Sequence, residues 1–167
     1  MKKDLLGLAG KVVLVTGASS GIGRGIARAF AEAGSHVVLA ARRVGHLEHL
    51  ARQLRRKRVR VLVVPTDVSD KEQVKRLIRE TIKHFRRIDI LVNNAGILEY
   101  EPFLSITDES WQRTLDVNLR GYLWVGQEVA RHMKRKKRGV IINVASIAGY
   151  GAFPQIASYN ISKAGIV

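Results

Sequence analysis

A glycine-rich turn between an apolar run and a helical pattern limits the folds open to this chain. The run "KVVLVTG" (11–17) is rich in β-branched residues and ends in Gly17, which is typical of a strand buried on both faces of a sheet. The turn "TGASSGIG" (16–23) follows at once, and helical spacing then continues to Gly34. The predicted apolar face of this helix consists of Ile22, Ile26, Ala29 and Phe30. Strand, tight turn and helix in this order predict the first unit of a parallel α/β sheet.

Four more predicted strands alternate with helices along the rest of the chain. The strands are "HVVLAA", "VRVLVVPTDVSD", "IDILVNNAG" and "GVIINVAS". The helices are "GHLEHLARQLRRK", "DKEQVKRLIRETIKHF", "TDESWQRTLDVNLRGYLWVGQEVARHMKRKK" and the beginning of another at "ASYNISKAGIV". This alternation predicts an α/β fold with a doubly wound parallel sheet of the Rossmann type, in three α/β/α layers, and one domain over residues 1–167.

Local patterns refine three of these helices. The apolar face of the second helix is predicted at Leu47, Leu50 and Leu54. Ser69, followed three residues later by Glu72, is the pattern of an N-cap and capping box for the third helix. Asp108 and Glu109 favour the start of the long helix through its dipole. The aromatic residues of that helix are interpreted as packing residues: Trp111, Tyr122 and Trp124.

The glycine turn indicates a phosphate-binding site. Gly17, Gly21 and Gly23 permit a tight turn and a close approach of a pyrophosphate to the backbone, and the helix that follows offers free N–H groups. Their spacing is G-x-x-x-G-x-G rather than the commoner G-x-G-x-x-G. The alternative is a turn that is merely tight. In this strand–helix context, dinucleotide binding is the favoured interpretation.

The end of the second predicted strand indicates which dinucleotide binds. A carboxylate about 20 positions after the glycines would bind the ribose 2′-hydroxyl of NAD. The stretch "LAARRVG" has no carboxylate there but does have Arg42 and Arg43. Since a guanidinium matches a phosphate in charge and geometry, the sequence favours NADP over NAD. The alternative is two surface arginines in a basic chain.

A tyrosine, a lysine and a serine near the end of the chain suggest proton transfer to a carbonyl oxygen. Tyr159 and Lys163 are four residues apart and share one face of the last predicted helix. A phenol has an ordinary pKa of about 10, and a neighbouring ammonium lowers it. Ser146 follows the fifth strand, at the edge where such sheets bind ligands, and its hydroxyl can reach a substrate oxygen. Taken singly, these residues could be mere helix neighbours and a cap.

Six motifs occur together in one order: "TGASSGIG", "DV" at Asp67–Val68, "NNAG", "VNLRG", Ser146 in "NVASIAG", and "YNISK". With this set the chain resembles the short-chain dehydrogenase/reductase family over nearly its whole length, and in particular its NADP-dependent carbonyl and 3-oxoacyl reductases. The resemblance implies a hydride transfer between NADP(H) and a carbonyl compound or secondary alcohol. It also implies a homo-oligomer.

The resemblance implies a set of site residues. The implied catalytic residues are Asn118, Ser146, Tyr159 and Lys163, with Asn118 holding a water that links Lys163 to solvent. The implied cofactor-binding residues are Gly17, Ser19, Ser20, Gly21, Ile22, Gly23, Arg42, Arg43, Asp67, Val68, Asn94, Ala95, Gly96, Tyr159 and Lys163. Among these, Asp67 and Val68 are expected near the adenine, and residues 94–96 along the cofactor cleft.

Members of the family are longer than this chain of 167 residues. We therefore expect the last strands and the loops over the substrate to be missing, with "GVIINVAS" left as a sheet edge. The expectation is of a truncated oxidoreductase. The alternative is a non-catalytic nucleotide-binding or interaction fragment.

Composition narrows the partners. The chain has 29 Lys and Arg against 14 Asp and Glu, a net charge of +15, much of it in "RQLRRKRVR" (52–60) and "RHMKRKKRG" (131–139). These runs indicate either a solvated surface, the favoured interpretation, or attraction to a polyanion. A basic surface suits a phosphorylated cofactor and also an acyl group on an acidic carrier. Because no aromatic residues interleave the runs, stacking on bases is not predicted and nucleic-acid binding is not favoured.

The remaining composition predicts location and excludes metal. There is no cysteine, and His46 and His49 have no further ligands near them in sequence, so no metal site is predicted. No run is long enough for a membrane span, and Asp4 and Lys11 interrupt the pattern of a signal peptide. We therefore predict a cytoplasmic protein without a membrane partner.

Overall fold

A computed structural model of the chain describes residues 6–167. Residues 1–5, and with them the interpretation of Asp4 against a signal peptide, lie outside this range. The strands are β1 (Val12–Thr16), β2 (His36–Ala41), β3 (Val61–Pro65), β4 (Ile90–Asn93) and β5 (Val140–Asn143). The helices are α1 (Gly21–Glu32), α2 (Val44–Arg55), α3 (Lys71–Phe85), α4 (Asp108–Leu115), α5 (Gly121–Lys136) and α6 (Ala157–Ala164). Within residues 6–167, no helix is both long and apolar enough to cross a membrane.

The five strands form a parallel sheet in the order β3-β2-β1-β4-β5. In register, Val13 of β1 pairs with Val37 of β2 on one side and with Ile90 of β4 on the other. The order reverses direction at β1, since β2 and β3 lie on one side and β4 and β5 on the other. This confirms the predicted doubly wound α/β fold, and ligands of such sheets bind outside the carboxyl ends of the strands at the reversal.

Helices cover both faces of the sheet. Alternate side chains of β1 belong to different cores, with Val13 and Val15 on one face and Val12 and Leu14 on the other. The first core is completed from α1 and α2 by Ala27, Ala31, Leu47, Leu50 and Leu54, and the second from α3 and α5 by Val74, Leu77, Val125 and Val129. Burying each large apolar side chain contributes about 1.5–3 kcal/mol. The three-layer arrangement and the predicted face of α2 are confirmed.

The predicted apolar face of α1 is wrong in part. The buried residues of this helix are Gly23, Ala27 and Ala31. Ile22 is 67% exposed and lines the cleft described below, not the core. Small residues at the buried positions let α1 pack closely on the strands, and a sequence pattern that counts only large apolar residues misses them.

The N-cap of α3 is Asp70, not Ser69. The Asp70 carboxylate accepts hydrogen bonds from the backbone N–H groups of Glu72 and Gln73 at 2.9 and 3.1 Å. The Ser69 hydroxyl instead donates to Asp67 at 2.6 Å. Asp70 is the N-cap because an ionised carboxylate is a stronger hydrogen-bond acceptor than a hydroxyl. The Ser69 hydroxyl is then available to orient Asp67.

The predicted long helix contains a π-helical segment. It runs through α4, then Asp116–Arg120 in π conformation, then α5. A π turn contains one residue more than an α turn and occurs frequently at functional sites. The segment contains Asn118, which is completely buried.

Strand β5 lies at the edge of the sheet, as predicted. Its four residues are all exposed, including Val140, Ile141 and Ile142. Its ladder is paired only with β4 among the described residues. The side of β5 that faces away from β4 is therefore an apolar strand edge.

Candidate functional site

A cleft of about 630 Å³ lies outside the carboxyl ends of β1, β2, β3 and β4. The structure brings most of the predicted cofactor-binding residues to its wall. They are Gly17, Ser19, Ser20, Gly21, Ile22, Gly23, Arg42, Arg43, Asp67, Val68, Asn94, Ala95 and Gly96. Tyr159 and Lys163 are not among its lining residues. The sequence assigned Ile22 both to the apolar face of α1 and to the cofactor site. The structure places it on the wall of the cleft.

Two glycines let the turn after β1 pack against the end of β4. Gly17 has φ +66°, and a Cβ there would lie 2.8 Å from Ala95 Cα. A Cβ on Gly23 would overlap the Asn94 side-chain amide and lie 2.5 Å from the Gly17 carbonyl oxygen. Any larger side chain would therefore separate the glycine turn from Asn94 and Ala95.

Thr16 and Asn94 tie the ends of β1 and β4 together. The Thr16 hydroxyl accepts hydrogen bonds from the backbone N–H groups of Asn94 and Ala95 at 3.0 and 3.1 Å. The Asn94 amide donates to the Thr16 carbonyl at 2.9 Å. The floor of the cleft is thus held by hydrogen bonds between the two strands on either side of the reversal.

The two arginines after β2 differ in their surroundings. Arg43 donates to the Ser19 hydroxyl at 3.0 Å and to the Ser20 hydroxyl at 2.6 Å, so its guanidinium is held against the glycine turn. Arg42 lies 3.9 Å from an Asp67 carboxylate oxygen. The charge of Arg42 is therefore partly balanced, whereas Arg43 is held by neutral hydroxyls.

Asp67 and Val68 form the wall near β3. Asp67 accepts hydrogen bonds from the backbone N–H and the hydroxyl of Ser69 at 3.0 and 2.6 Å. Val68 packs against Gly121, where a Cβ would lie 2.8 Å from a Val68 methyl carbon. Gly121 thus allows the start of α5 to approach this wall.

Lys163 lies on α6, and its side chain is buried against Val144, the residue that follows β5. Its side chain is only 4% exposed, and its ammonium donates to the Val144 carbonyl at 2.8 Å and to the Tyr122 hydroxyl at 3.4 Å. Burial lowers the pKa of Lys163, because removal from water penalises the charged form. The ammonium lies 5.7 Å from the centroid of the Tyr159 ring. The predicted pair is therefore close in space, with a desolvated charge beside the phenol ring.

Ser146 begins a short 3-10 turn that packs against α6. Its hydroxyl oxygen accepts a hydrogen bond from the backbone N–H of Ala148 at 3.1 Å. A Cβ on Gly149, the last residue of the turn, would lie 2.7 Å from the Lys163 carbonyl oxygen. The capping role that the sequence left open is thus present, and the turn also places Ser146 next to the helix that carries Tyr159 and Lys163.

Asn118 joins the cleft to α6. Its amide oxygen accepts from the Ile97 backbone N–H at 2.8 Å, and its amide nitrogen donates to the Ile97 carbonyl at 2.9 Å and to the Ser162 hydroxyl at 3.1 Å. The Ser162 hydroxyl donates in turn to the Tyr159 carbonyl at 2.8 Å. Since both amide hydrogens are used within the protein, a water held here has the backbone carbonyl or the second lone pair of the amide oxygen available.

Sequence reasoning missed two side chains of this region. Ser162 bridges Asn118 and Tyr159, and its position directly before Lys163 in "YNISK" was the available signal. Tyr122 is buried, as a packing residue should be, but its hydroxyl also donates to the Val144 carbonyl at 3.1 Å. Burial raises the pKa of Tyr122 above its ordinary value, and proximity to Tyr159 adds to this. Nothing in its sequence neighbourhood indicated a contact with Lys163.

The short chain dehydrogenase family model matches residues 11–167. The chain belongs to the short-chain dehydrogenase family. This family consists of oxidoreductases, and membership implies a nicotinamide cofactor.

This short-chain dehydrogenase is similar to curated reductases and to solved structures of the family. It is 34% identical to the 3-oxoacyl-[acyl-carrier-protein] reductase FabG of Thermotoga maritima, over 96% of this chain and 65% of that protein. It is 38% identical to the glycine betaine reductase ATRR of Emericella nidulans, over 93% of this chain and 12% of that protein. A short-chain type dehydrogenase/reductase from Mycobacterium marinum superposes with a TM-score of 0.91 at 36% identity, over 95% of this chain and 66% of that one. The chain thus spans two thirds or less of the length of each.

Proposed function

We propose that this short-chain dehydrogenase transfers hydride between NADP(H) and a carbonyl compound or secondary alcohol. The observation that carries the proposal is the position of Lys163. Its buried ammonium lies beside the ring of Tyr159, and the turn that begins at Ser146 packs against the same helix. Titratable groups perturbed by burial cluster at functional sites.

The residues of the cleft fit a dinucleotide. The close contacts of Gly17 and Gly23 leave bare backbone at the N-terminus of α1, where an anion is favoured by free N–H groups and by the helix dipole. We propose that this turn holds the pyrophosphate, that Asp67 and Val68 lie by the adenine, and that residues 94–96 face the nicotinamide half. Tyr159 and Lys163 complete that half from α6.

Arg43 is the better candidate for recognition of the 2′-phosphate of NADP. It lies with Ser19 and Ser20 at the mouth of the cleft, so a guanidinium and two hydroxyls converge there. No carboxylate lies within 4.0 Å of Arg43 among the described residues. Arg42 assists with a charge that Asp67 partly balances. NAD, which needs an acceptor for its 2′-hydroxyl, finds no carboxylate directly after β2.

The four proposed catalytic residues have distinct roles in proton transfer. The bound cofactor supplies or accepts the hydride. Ser146 donates a hydrogen bond to the substrate oxygen, and Tyr159 gives that oxygen its proton or removes it. Lys163 favours the phenolate of Tyr159 through its charge. Asn118 holds α6 in place through Ser162 and offers a site for the water that returns the proton.

The name of one relative supports a candidate class of substrate. One relative is named as a reductase of a 3-oxoacyl group on an acyl carrier protein, so an acyl group on such a carrier is one candidate substrate. A free small carbonyl compound or alcohol is the simpler substrate. A homo-oligomer and a cytoplasmic location remain predictions.

Cofactor titration tests the proposal. We expect NADPH to bind more tightly than NADH at about 0.15 M salt, where non-specific attraction to a basic chain is screened. Arg43→Ala should lower the affinity for NADPH by about tenfold or more and leave the affinity for NADH nearly unchanged. Arg79→Ala, which removes the same charge from the exposed face of α3, is the control. Equal binding of both cofactors would contradict the NADP assignment.

Turnover distinguishes the two candidate functions. Carbonyl reduction by the chain, abolished in Tyr159→Phe with NADPH binding intact, supports the oxidoreductase. The alternative, a non-catalytic nucleotide-binding or interaction module, is favoured by the exposed apolar edge of β5. NADPH binding without turnover of any carbonyl tested would favour that alternative.

A further inference from the structure

A dense concentration of positive charge lies at the opposite end of the sheet from the cleft. In an alternating α/β chain, each helix returns to the amino end of the sheet, so the loops from helix to strand all lie there. The loop before β3 contains Arg56, Lys57, Arg58 and Arg60. The loop before β4 contains Arg86 and Arg87, and the end of α5 and the loop before β5 contain 134–138, all of them Lys or Arg. We call these three segments the basic face. Its position means that the two basic runs of the sequence do not line the cofactor cleft.

The carboxylates near the basic face neutralise little of it. Glu32 pairs with Lys57 at 3.5 Å, and the buried Asp89 pairs with Arg87 at 2.9 Å. Among the described residues, no carboxylate lies within 4.0 Å of the charged groups in 134–138. These side chains are all exposed. On an ordinary protein surface, positive and negative side chains are interspersed, unlike in segment 134–138.

The pKa values of two histidines are lowered by burial and by the positive charges of the basic face. Burial lowers the pKa of His36 at the start of β2, and the charges of Arg60 and Arg87 lower it further. Burial lowers the pKa of His132 on α5, and Arg135 and Lys136 lower it further, partly opposed by Asp89. The basic face therefore disfavours additional positive charge at two separate positions.

The backbone of the basic face carries charge where glycine would be the relaxed choice. Four helix-to-strand loops contain a residue in the left-handed region of φ. The loop before β2 uses Gly34, with φ +86°. The other three use Arg58, Arg86 and Lys137, with φ +62°, +65° and +52°. A non-glycine residue in this conformation is disfavoured by about 1 kcal/mol.

Helix-dipole stabilisation does not account for these residues. Cations in the last turn of a helix interact favourably with its dipole, and α5 already has Lys134, Arg135 and Lys136 there. Lys137 and Arg138 lie beyond that turn. The end of α1 lies at the same end of the sheet, and its last turn contains no basic residue. Arg60 and Arg87 are partly used within the chain, since they donate to the carbonyls of His84 and Gly10. The exposed charges of Arg58, Lys137 and Arg138 are available to a ligand outside the chain.

We propose that the basic face binds the sugar–phosphate backbone of double-stranded nucleic acid. The loops before β3 and β5 are four strand spacings apart, about 19 Å, which is about half a helical turn of a duplex. Loops 56–60, 86–89 and 137–139 contain no Trp, Tyr or Phe, so stacking on unpaired bases and aromatic anchoring in a bilayer are not served. A duplex backbone requires only cations.

An acidic carrier protein fits this face less well. A carrier must deliver its acyl group to Tyr159, which lies at the carboxyl end of the sheet with Ser146. The basic face is separated from that end by the length of the strands, about 15 Å. Binding at the basic face is independent of turnover in the cleft.

The left-handed positions provide the sharpest test. In the triple variant Arg58→Gly, Arg86→Gly, Lys137→Gly, three charges are removed and the backbone strain is relieved. We expect unchanged or increased resistance to urea. We also expect affinity for a labelled DNA duplex of about two helical turns, followed by anisotropy, to fall by about tenfold or more. The plot of log affinity against log salt should become shallower by about two to three.

Controls separate the basic face from net charge. Lys71→Gln, Lys75→Gln, Arg79→Gln removes three charges from the exposed face of α3 and should weaken duplex binding much less. Equal losses in the two triple variants would overturn the proposal, as would no duplex binding by the unchanged chain at about 0.1 M salt. If the glycine variant does not fold, Lys134→Gln, Lys136→Gln, Arg138→Gln carries the same expectation without touching the left-handed positions.

Other polyanions complete the design. A DNA duplex and an RNA duplex distinguish the source of the backbone, and binding to either supports the proposal. Tighter binding to single-stranded DNA, or to vesicles containing phosphatidylserine, would overturn the assignment to a duplex. NADPH titration of the glycine variant should match that of the unchanged chain, so a failure of the proposed oxidoreductase function would be seen separately.

Discussion

The hydroxyl of Tyr122 accepts a hydrogen bond from the ammonium of Lys163 at 3.4 Å. The same hydroxyl donates to the Val144 carbonyl, which is the other acceptor of Lys163. The ammonium therefore occupies a site formed by one backbone oxygen and one phenol. Both oxygens favour the charged form of Lys163, which burial disfavours.

Tyr122→Phe should lower the pKa of Lys163 further. The substitution keeps the ring and removes one acceptor of the ammonium, so the charged form loses a hydrogen bond. Because this hydrogen bond is long, we expect the fall in the Lys163 pKa to be small. The 13C shift of the Lys163 ε-carbon, assigned with Lys163→Arg and followed over pH, measures it. The exposed Tyr100 provides the matched control, Tyr100→Phe. An unchanged Lys163 titration would show that the hydroxyl only fills space.

Gly23→Ala and Gly25→Ala should have opposite effects. The methyl group at Gly23 would overlap Asn94 and the Gly17 carbonyl, whereas at Gly25 it would enter open space. We expect Gly23→Ala to lower the free energy of unfolding by about 1–3 kcal/mol and to weaken cofactor binding. Gly25→Ala should raise the free energy by about 0.5–1 kcal/mol, because alanine favours a helix. Urea denaturation measures both, and similar values would mean that the turn relaxes.

Asp89→Ala should be among the more destabilising substitutions at the amino end of the sheet. The buried Asp89 carboxylate accepts from the Val12 backbone N–H at 2.8 Å and pairs with Arg87 at 2.9 Å. Alanine would leave a buried donor unsatisfied, at a cost of about 1–3 kcal/mol. The surface pair of Glu32 with Lys57 offers a comparison, since Glu32→Ala should cost less than about 1 kcal/mol. Equal costs in urea denaturation would contradict the structural role of Asp89.

Asp70 should contribute stability that depends on pH. Hydrogen bonds from Gln73, backbone first and then side chain, and from the Glu72 backbone lower the pKa of Asp70 from its ordinary value of 3.8. The cap therefore stabilises the fold fully above that value, and the stabilisation is lost as pH falls through the lowered pKa. Asp70→Ala should lower the melting temperature at pH 7, and the difference should narrow below about pH 4. Ser69→Ala, which removes no cap, should show no such narrowing.

The order of elements was predictable because each depends on local patterns. The apolar runs of β1, β2 and β4 are long enough to be read as buried strands, and the leucines of α2 repeat at helical spacing. The family resemblance then implied the site residues that no single pattern indicates, such as Asn118 and Asp67. All of the residues assigned from the glycine turn to Gly96 line one cleft, although their roles stay predictions.

The predictions that were wrong or absent concern side chains whose role depends on contacts with other parts of the fold. Ser69 and Asp70 can each cap α3. The Asp70 carboxylate is the stronger acceptor, and the Ser69 hydroxyl donates to Asp67 instead. Ile22 has the helical spacing of a core residue, but it lines the cleft. The contact of Tyr122 with Lys163 joins residues 41 positions apart. No local pattern reports such a contact.

The π-helical segment at Asp116–Arg120 has a consequence for the length of this helix. Deleting one residue between α4 and α5 would restore an ordinary helix and rotate α4 by about 100° relative to α5. Asn118 would then turn away from Ile97 and Ser162, while α5 stayed packed against the sheet. We expect the segment to accept changes of residue far more readily than any insertion or deletion. The spacing between the two halves of the helix is therefore as much a part of the site as Asn118 itself.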